Sequence, residues 1–335
     1  MRIIVDGFGG DHAPKAVLEG CAMAVAEYGV EITLTGDKTQ LTKVAFENSI
    51  SLDGIEIAQA DTVLTMEDDP GDVIKAKKDS SMAVGLSLLA EGKGDAFVSA
   101  GNTGALVMGA TFIVKRIKGI KRPALAPILP HNNGCFMLMD AGANLECRPE
   151  MLEQFGMMGS VYMNKIMGLP KPKVGLINVG AEETKGTQLQ HEAYALLKAN
   201  PQINFVGNVE ARELPEGSCA VAVADGFTGN VVLKLTEGLG MMLIDNIKGL
   251  FLNGIGGKIA AMCVMSGLKE FKKKMDYTEY GGAPLMGIAK PVIKAHGSSN
   301  AKAFKNAIRQ ARDFVDKRVI EEIESSLQHG QAKQA

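Results

Sequence analysis

The chain has 335 residues, 46% hydrophobic and 22% charged, with a formal net charge of −2. That length carries an ample core, as one large α/β unit or as two lobes, and the near-neutral balance excludes a global attraction to nucleic acid. The five cysteines (Cys21, Cys135, Cys147, Cys219 and Cys263) are scattered without a C-x-x-C pair, which favours reduced thiols over a disulfide framework or a structural zinc.

Met1 enters a strand at once, with no signal-peptide pattern, and no run reaches bilayer-spanning length, so the expected location is the cytoplasm. Residues 3–5 read as a short strand of the kind buried in parallel sheets. A Gly-rich turn over 6–14 and a helix over 15–28 follow, the opening of a doubly wound fold without a G-x-G-x-x-G fingerprint. In that turn Gly7, Gly9 and Gly10 let backbone amides face an anion, and His12 is placed to donate to it or to take part in proton transfer. The plainer reading makes Asp11 a helix cap and His12 a surface residue.

Strands are expected over 31–35 and 55–60, then an acidic loop over 61–72 and a helix over 73–91. Residues 96–106, AFVSAGNTGAL, are the stretch that organises the chain. A buried strand ends there in a small-residue turn, and Ser99, Asn102 and Thr103 add side-chain donors to an anion cradle. The alternative is an ordinary strand-to-helix turn capped by Asn or Thr. Residues 115–122, KRIKGIKR, hold five basic residues in eight and suit an acidic or phosphate-bearing partner, or form a solvated helix end.

A strand over 135–140 leads to Asp140 and Asn144, placed where strand ends hold ligands or merely turn the chain. A helix over 149–167 and a strand over 173–179 come next. The loop over 180–187 then combines Glu182, Thr184 and Lys185, and a lysine there can pair with phosphate or a developing oxyanion. Strands over 203–206 and 220–224 follow. The turn DGFTGN at 225–230 echoes the earlier cradle, and Asn230 is either an amide donor to a carbonyl oxygen or a plain cap for a helix over 231–247.

Residues 251–275 change character. Ile255 and Ile259 fall on one helical row and Leu268 and Phe271 on another, flanked by lysines, with a break expected at Gly254, Gly256 and Gly257. Ile259, Leu268 and Phe271 are the expected contacts of an interfacial amphipathic segment. The alternative is packing on the core or across a dimer interface. Beyond lie a strand over 291–295, a turn in which His296 and Ser298 are weaker phosphate candidates, and a helix over 301–326 capped by Ser298 or Ser299. Residues 331–335 read as a frayed tail after a single domain over 1–330.

Six stretches taken together, VDGFGGDHAP (5–14), SAGNTGAL (99–106), DAGAN (140–144), GAEETKGT (180–187), DGFTGN (225–230) and HGSSNAKAFKNAI (296–308), resemble the PlsX-type phosphate acyltransferases of bacterial phospholipid synthesis. The chain departs from the family's usual Asp-Ala-Met-Gly-Gly-Asp opening at Gly7 and Phe8. The resemblance implies a three-layer α/β/α sandwich around a mostly parallel sheet, similar to the isocitrate/isopropylmalate dehydrogenase-like fold, and a homodimer. It implies transfer of a fatty acyl group from acyl carrier protein to inorganic phosphate, and peripheral association with the inner face of the cell membrane. It makes Lys185 and Asn230 the catalytic candidates, with Gly9, Gly10, His12, Ser99, Asn102 and Thr103 for phosphate. Because phosphate is itself the nucleophile, neither a metal nor a cofactor is expected. The competing readings are a phosphotransacetylase-like enzyme using a coenzyme A thioester and a non-catalytic membrane-surface adaptor.

Overall fold

The structure, a computed structural model, describes residues 1–252, Gly267 and 277–332. Its strands run β1 (Arg2–Asp6), β2 (Glu31–Gly36), β3 (Ile55–Gln59), β4 (Ala96–Ser99), β5 (Ala124–Leu125), β6 (Ile128–His131), β7 (Gly134–Met139), β8 (Lys173–Ile177), β9 (Asn204–Val209), β10 (Val221–Val223), β11 (Ala283–Met286) and β12 (Val292–Lys294). The helices that matter for the site are α1 (Lys15–Tyr28), α2 (Lys38–Glu47), α3 (Ser81–Ala90), α4 (Thr103–Gly109), α5 (Pro149–Lys165), α6 (Gln188–Ala199), α7 (Gly226–Leu252), α8 (Ala301–Asp316) and α9 (Val319–Ala332).

The strands form two sheets, in the orders β3-β2-β1-β4-β12-β11-β5 and β6-β7-β10-β8-β9. Both are mostly parallel, and among the described residues their antiparallel strand pairs are β12–β11, β11–β5 and β6–β7. The expected α/β architecture holds, and its parallel strands are divided between two sheets. The chain builds most of the first sheet, crosses to the second after β5, and returns through β11 and β12.

Strand alternation explains the layers. In the first sheet, Ile4, Phe97 and Val292 stand in register and face α3 and α4. Their neighbours Val5, Val98 and Ile293 face the opposite way, into the core shared with α1 and α8. In the second sheet, Met137, Val221 and Val174 are in register against α5, whereas Leu138 and Ala222 turn toward Leu233 of α7. One continuous core runs from the first sheet through α8 and α5 to the second.

The seam between α8 and α5 is both apolar and polar. The Tyr162 and Phe314 rings lie 5.7 Å apart between centroids. Buried Gln310 donates from Nε2 to the Tyr162 hydroxyl at 2.9 Å, and its Oε1 accepts from Gly282 N–H at 2.8 Å. Gln310 therefore ties both halves to the turn that precedes β11.

Three expected elements differ. The helix expected over 73–91 begins only at Ser81, because Ser80 caps it by accepting from Ala83 N–H at 3.3 Å. Ahead of it, Lys77 is drawn away to Asp68 at 2.7 Å and to the Val63 carbonyl at 3.0 Å. The helix expected over 301–326 breaks in two around Arg318, whose φ of 53° is left-handed. Its cap is Asn300, not Ser298 or Ser299, and accepts from Ala303 N–H at 3.0 Å. Strands β5, β6 and β11 are additional to the expected set. Ile259, Leu268 and Phe271 lie outside the described residues.

Tyr162→Phe should destabilise the protein by about 1–3 kcal/mol in urea titration, because it leaves a buried Gln310 N–H without its acceptor. An unchanged unfolding midpoint would show that the seam tolerates the loss.

Candidate functional site

Strands β1, β4 and β12 are adjacent and parallel, so their C-terminal ends sit side by side. This is where open α/β sheets hold ligands. The loops that follow them pack together closely. A Cβ on Gly9 would stand 2.7 Å from Gly101 N, and one on Gly10, whose φ is 103°, would stand 3.0 Å from the Gly297 carbonyl. Asp11 N–H donates to that same carbonyl at 2.8 Å.

Beneath these loops lies a buried polar strut. Asp6, at the end of β1, accepts from Ser99 Oγ at 2.7 Å and from Phe8 N–H at 3.3 Å. Ser99 Oγ in turn accepts from Gly101 N–H at 3.0 Å. Burial pushes the Asp6 carboxyl up, against the hydrogen bonds of Ser81 and Ser99. Asn102 is equally committed. Its Oδ1 accepts from Ala105 N–H at 3.1 Å, and its Nδ2 faces the carbonyls of Thr65, Met66 and Asp68 at 3.3–3.4 Å. Ser99 and Asn102 thus shape the turn with side chains already engaged. His12 is exposed, and Thr103 lines the cleft described below.

The opposite wall begins at Asp140, fully buried at the end of β7. Its carboxylate accepts from Leu125 N–H at 2.8 Å, Ala143 N–H at 3.1 Å, Asn144 N–H at 2.7 Å and Asn144 Nδ2 at 2.9 Å. Asn144 Nδ2 also donates to the Pro123 carbonyl at 2.7 Å. Asp140 and Asn144 therefore organise the loop. Burial pushes the Asp140 carboxyl up, and these donors oppose it.

Helix α7 starts against that loop. Gly226 N–H donates to the Asn144 carbonyl at 2.7 Å, and Asp225 caps the helix by accepting from Thr228 N–H at 2.9 Å and Thr228 Oγ1 at 2.8 Å. Asn230 is thus inside the helix and is not its cap. Its amide makes no hydrogen bond among the described residues and lies beside Gly142.

Between the walls is a cleft of about 270 Å³. Thr103, Asn230, Lys234, Glu237, Lys294 and His296 supply its polar lining. Leu125, Pro127, Ile128, Leu145 and Leu233 supply an apolar side. His296 Nδ1 accepts from Ser298 N–H at 3.3 Å and lies 2.8 Å from Ser298 Oγ. Burial lowers the His296 pKa. Lys234 pairs with Glu237 at 2.8 Å. Sequence reasoning missed Lys294, Lys234 and Glu237. The available signal for Lys294 was a lysine closing an apolar strand directly before the His296 turn.

Lys185 and Glu182 are not brought into this cleft. Their loop follows β8 and is exposed. Lys185 N–H donates to the Glu182 carbonyl at 3.1 Å, and Asn178 and Asn208 brace the loop through carbonyls of Lys185 and Glu182 at 2.9 and 2.8 Å. No group of three or more His, Cys, Asp or Glu side chains is arranged to hold a metal among the described residues.

A family described as fatty acid synthesis protein matches residues 1–322. Phosphate acyltransferases from Alkaliphilus oremlandii and Clostridium botulinum are each 50% identical, over 327 and 328 residues, covering 98% of this chain and 97% and 98% of theirs. The chain belongs to the PlsX-type phosphate acyltransferase family. Among solved structures, its fold resembles a phosphotransacetylase from Streptococcus pyogenes (TM-score 0.65, 19% identity, 96% of this chain and 94% of that one). It also resembles a 4-hydroxythreonine-4-phosphate dehydrogenase from Klebsiella pneumoniae (TM-score 0.55, 14% identity, 94% and 99%). Those two likenesses concern the fold, and they agree with the expected dehydrogenase-like α/β sandwich.

Gly229 decides how closely α7 packs on the Asp140 loop in this family member. A Cβ there would stand 1.8 Å from the Asp140 carbonyl oxygen, so a side chain forces α7 off the loop. Gly229→Ala should cost about 1–3 kcal/mol in denaturant titration, as an overpacked site does, and displace Asn230 enough to reduce turnover. Wild-type stability and turnover together would contradict this packing.

Proposed function

We propose that the chain transfers a fatty acyl group from the thioester of acyl carrier protein to inorganic phosphate, giving acyl phosphate for phospholipid synthesis. The carrying observation is the cleft itself: cationic and amide groups at one side suit phosphate and a reacting carbonyl, and an apolar side suits the acyl chain. The relatives' name, phosphate acyltransferase, supports the same reading.

A phosphate oxygen forms a bond to the thioester carbonyl carbon, and the carbonyl electrons move onto oxygen. Collapse of that intermediate breaks the carbon–sulfur bond, and the departing thiolate takes up the proton that the hydrogen phosphate gives up. Fixed donors at the oxyanion lower this barrier. Asn230, with its amide free of hydrogen bonds among the described residues and facing the cleft, takes that role. Lys185 does not line the cleft, and its assignment to charge stabilisation rests on the family resemblance alone. Gly9, Gly10, His12, Ser99, Asn102 and Thr103 remain the phosphate turn, with Ser99 and Asn102 acting by shaping its backbone.

The donor's acidic surface finds a complement in residues 115–122, whose Lys115, Arg116, Lys118, Lys121 and Arg122 are all exposed. That loop runs directly into β5, and Leu125 of β5 lines the cleft. Association with a second copy and with the inner membrane surface fits the exposed stripe Phe227, Val231, Leu235 and Leu239 on α7. No described helix is long and apolar enough to cross a membrane.

Palmitoyl–acyl carrier protein should release free thiol only when phosphate is present, with acyl phosphate trapped as hydroxamate, and palmitoyl–coenzyme A should be the poorer donor. Thiol release that ignores phosphate would overturn the reading, and preference for the coenzyme A thioester would overturn the donor. Asn230→Ala and Lys185→Ala should each lower kcat by about a hundredfold, on the scale of losing one oxyanion donor, with a smaller change in the KM for phosphate. Near-normal turnover in both would remove their catalytic roles.

A further inference from the structure

Lys294 is a cation in an unusual position. It ends β12, at the centre of the first sheet's C-terminal edge, and is only 8% exposed although it lines the cleft. Its Nζ donates to the Ala295 carbonyl at 2.6 Å and to the Ala100 carbonyl at 3.2 Å. An ammonium has three donors, so two are used on the turns after β12 and β4 and one is left. Among the described residues it forms no ion pair. Asp6 and Asp11 act on it from longer range, and Lys234 repels it. A buried charge without a counter-ion is costly, and an anion entering the cleft removes that cost.

We infer that Lys294 is a phosphate-binding residue of this cleft, its third N–H donating to a phosphate oxygen held beside the His296 turn. The inference rests on the acyl-to-phosphate reading above and adds the anchoring cation to it. The two carbonyls fix the ammonium before phosphate arrives, so little side-chain freedom is lost on binding. They also join the anchor to Ala100, in the turn that Ser99 and Asn102 shape. Burial brings the Lys294 pKa down to about 8, so the ammonium still keeps its proton at pH 7, and a bound anion favours the charged form further.

The test is phosphate binding, read apart from turnover. Inorganic phosphate is titrated calorimetrically at pH 7 into wild type, Lys294→Met and Lys294→Arg, with folding checked by circular dichroism. Losing one charge-assisted hydrogen bond should weaken binding about tenfold or more in Lys294→Met, with partial recovery in Lys294→Arg. In parallel, wild type is reductively methylated with and without phosphate, at ionic strength matched with chloride, and the lysines are read by mass spectrometry. Phosphate should reduce modification of Lys294 severalfold and leave exposed Lys43 and Lys173 unchanged. This arm holds even if a variant does not fold. Wild-type affinity in folded Lys294→Met, or methylation of Lys294 that phosphate leaves unchanged, overturns the inference. If wild type binds phosphate through Lys294 but makes no acyl phosphate, the inference stands and the acyl-transfer reading falls. If acyl phosphate forms while Lys294→Met keeps its phosphate KM, the reverse holds.

Discussion

Two backbone approaches too close for any side chain set the shape of the cleft. Gly9 meets the Gly101 amide in the first sheet, and Gly229 meets the Asp140 carbonyl in the second. The first draws the loops after β1 and β4 into one surface, and the loop after β12 joins it through the Gly297 carbonyl. The second presses the start of α7 onto the Asp140 loop and so aims Asn230 inward. Remove either contact and the lining of the cleft no longer faces itself.

Buried carboxylates hold these backbone contacts in place. Asp6 and Asp140 sit at equivalent points, the C-terminal ends of β1 and β7, and each collects donors from the loops around it. Their work is structural: they fix turns by accepting hydrogen bonds in a dry interior. The cleft's own charges are different in kind. Lys234 is exposed and paired with Glu237, whereas Lys294 is buried and, among the described residues, paired only with carbonyls. A dianionic nucleophile and a developing oxyanion both need positive partners, and the cleft supplies them beside an apolar wall.

Much of this was legible in the sequence. The short apolar runs that became β1, β4, β7, β8 and β10 end in turns rich in Gly, Asn, Asp and Thr, and those turns do gather at strand ends. Chain order alone could not show that β12 inserts beside β4, which is what places Lys294 and His296 at the centre. Side-chain type also could not separate binding from bracing. Ser99, Asn102, Asp140 and Asn144 read from sequence either as ligands or as turn and cap residues, and their hydrogen-bonding groups are committed to backbone and to neighbouring side chains. Asn230, which read equally well as a cap, makes no hydrogen bond among the described residues, and Asp225 caps the helix instead. Lys185 sits on an exposed loop and does not line the cleft, although β8, which its loop follows, is the parallel neighbour of β10, which leads into the helix of Asn230.

Under the proposed function, phosphate meets the acyl group in the cleft between the two sheets. Arsenate is a phosphate analogue with an anomalous scattering signal, and crystals soaked in it would locate the anion directly. The account predicts an anomalous peak within hydrogen-bonding distance of Lys294 Nζ, between Thr103 and His296. A peak elsewhere on the molecule, with the cleft empty, would contradict it.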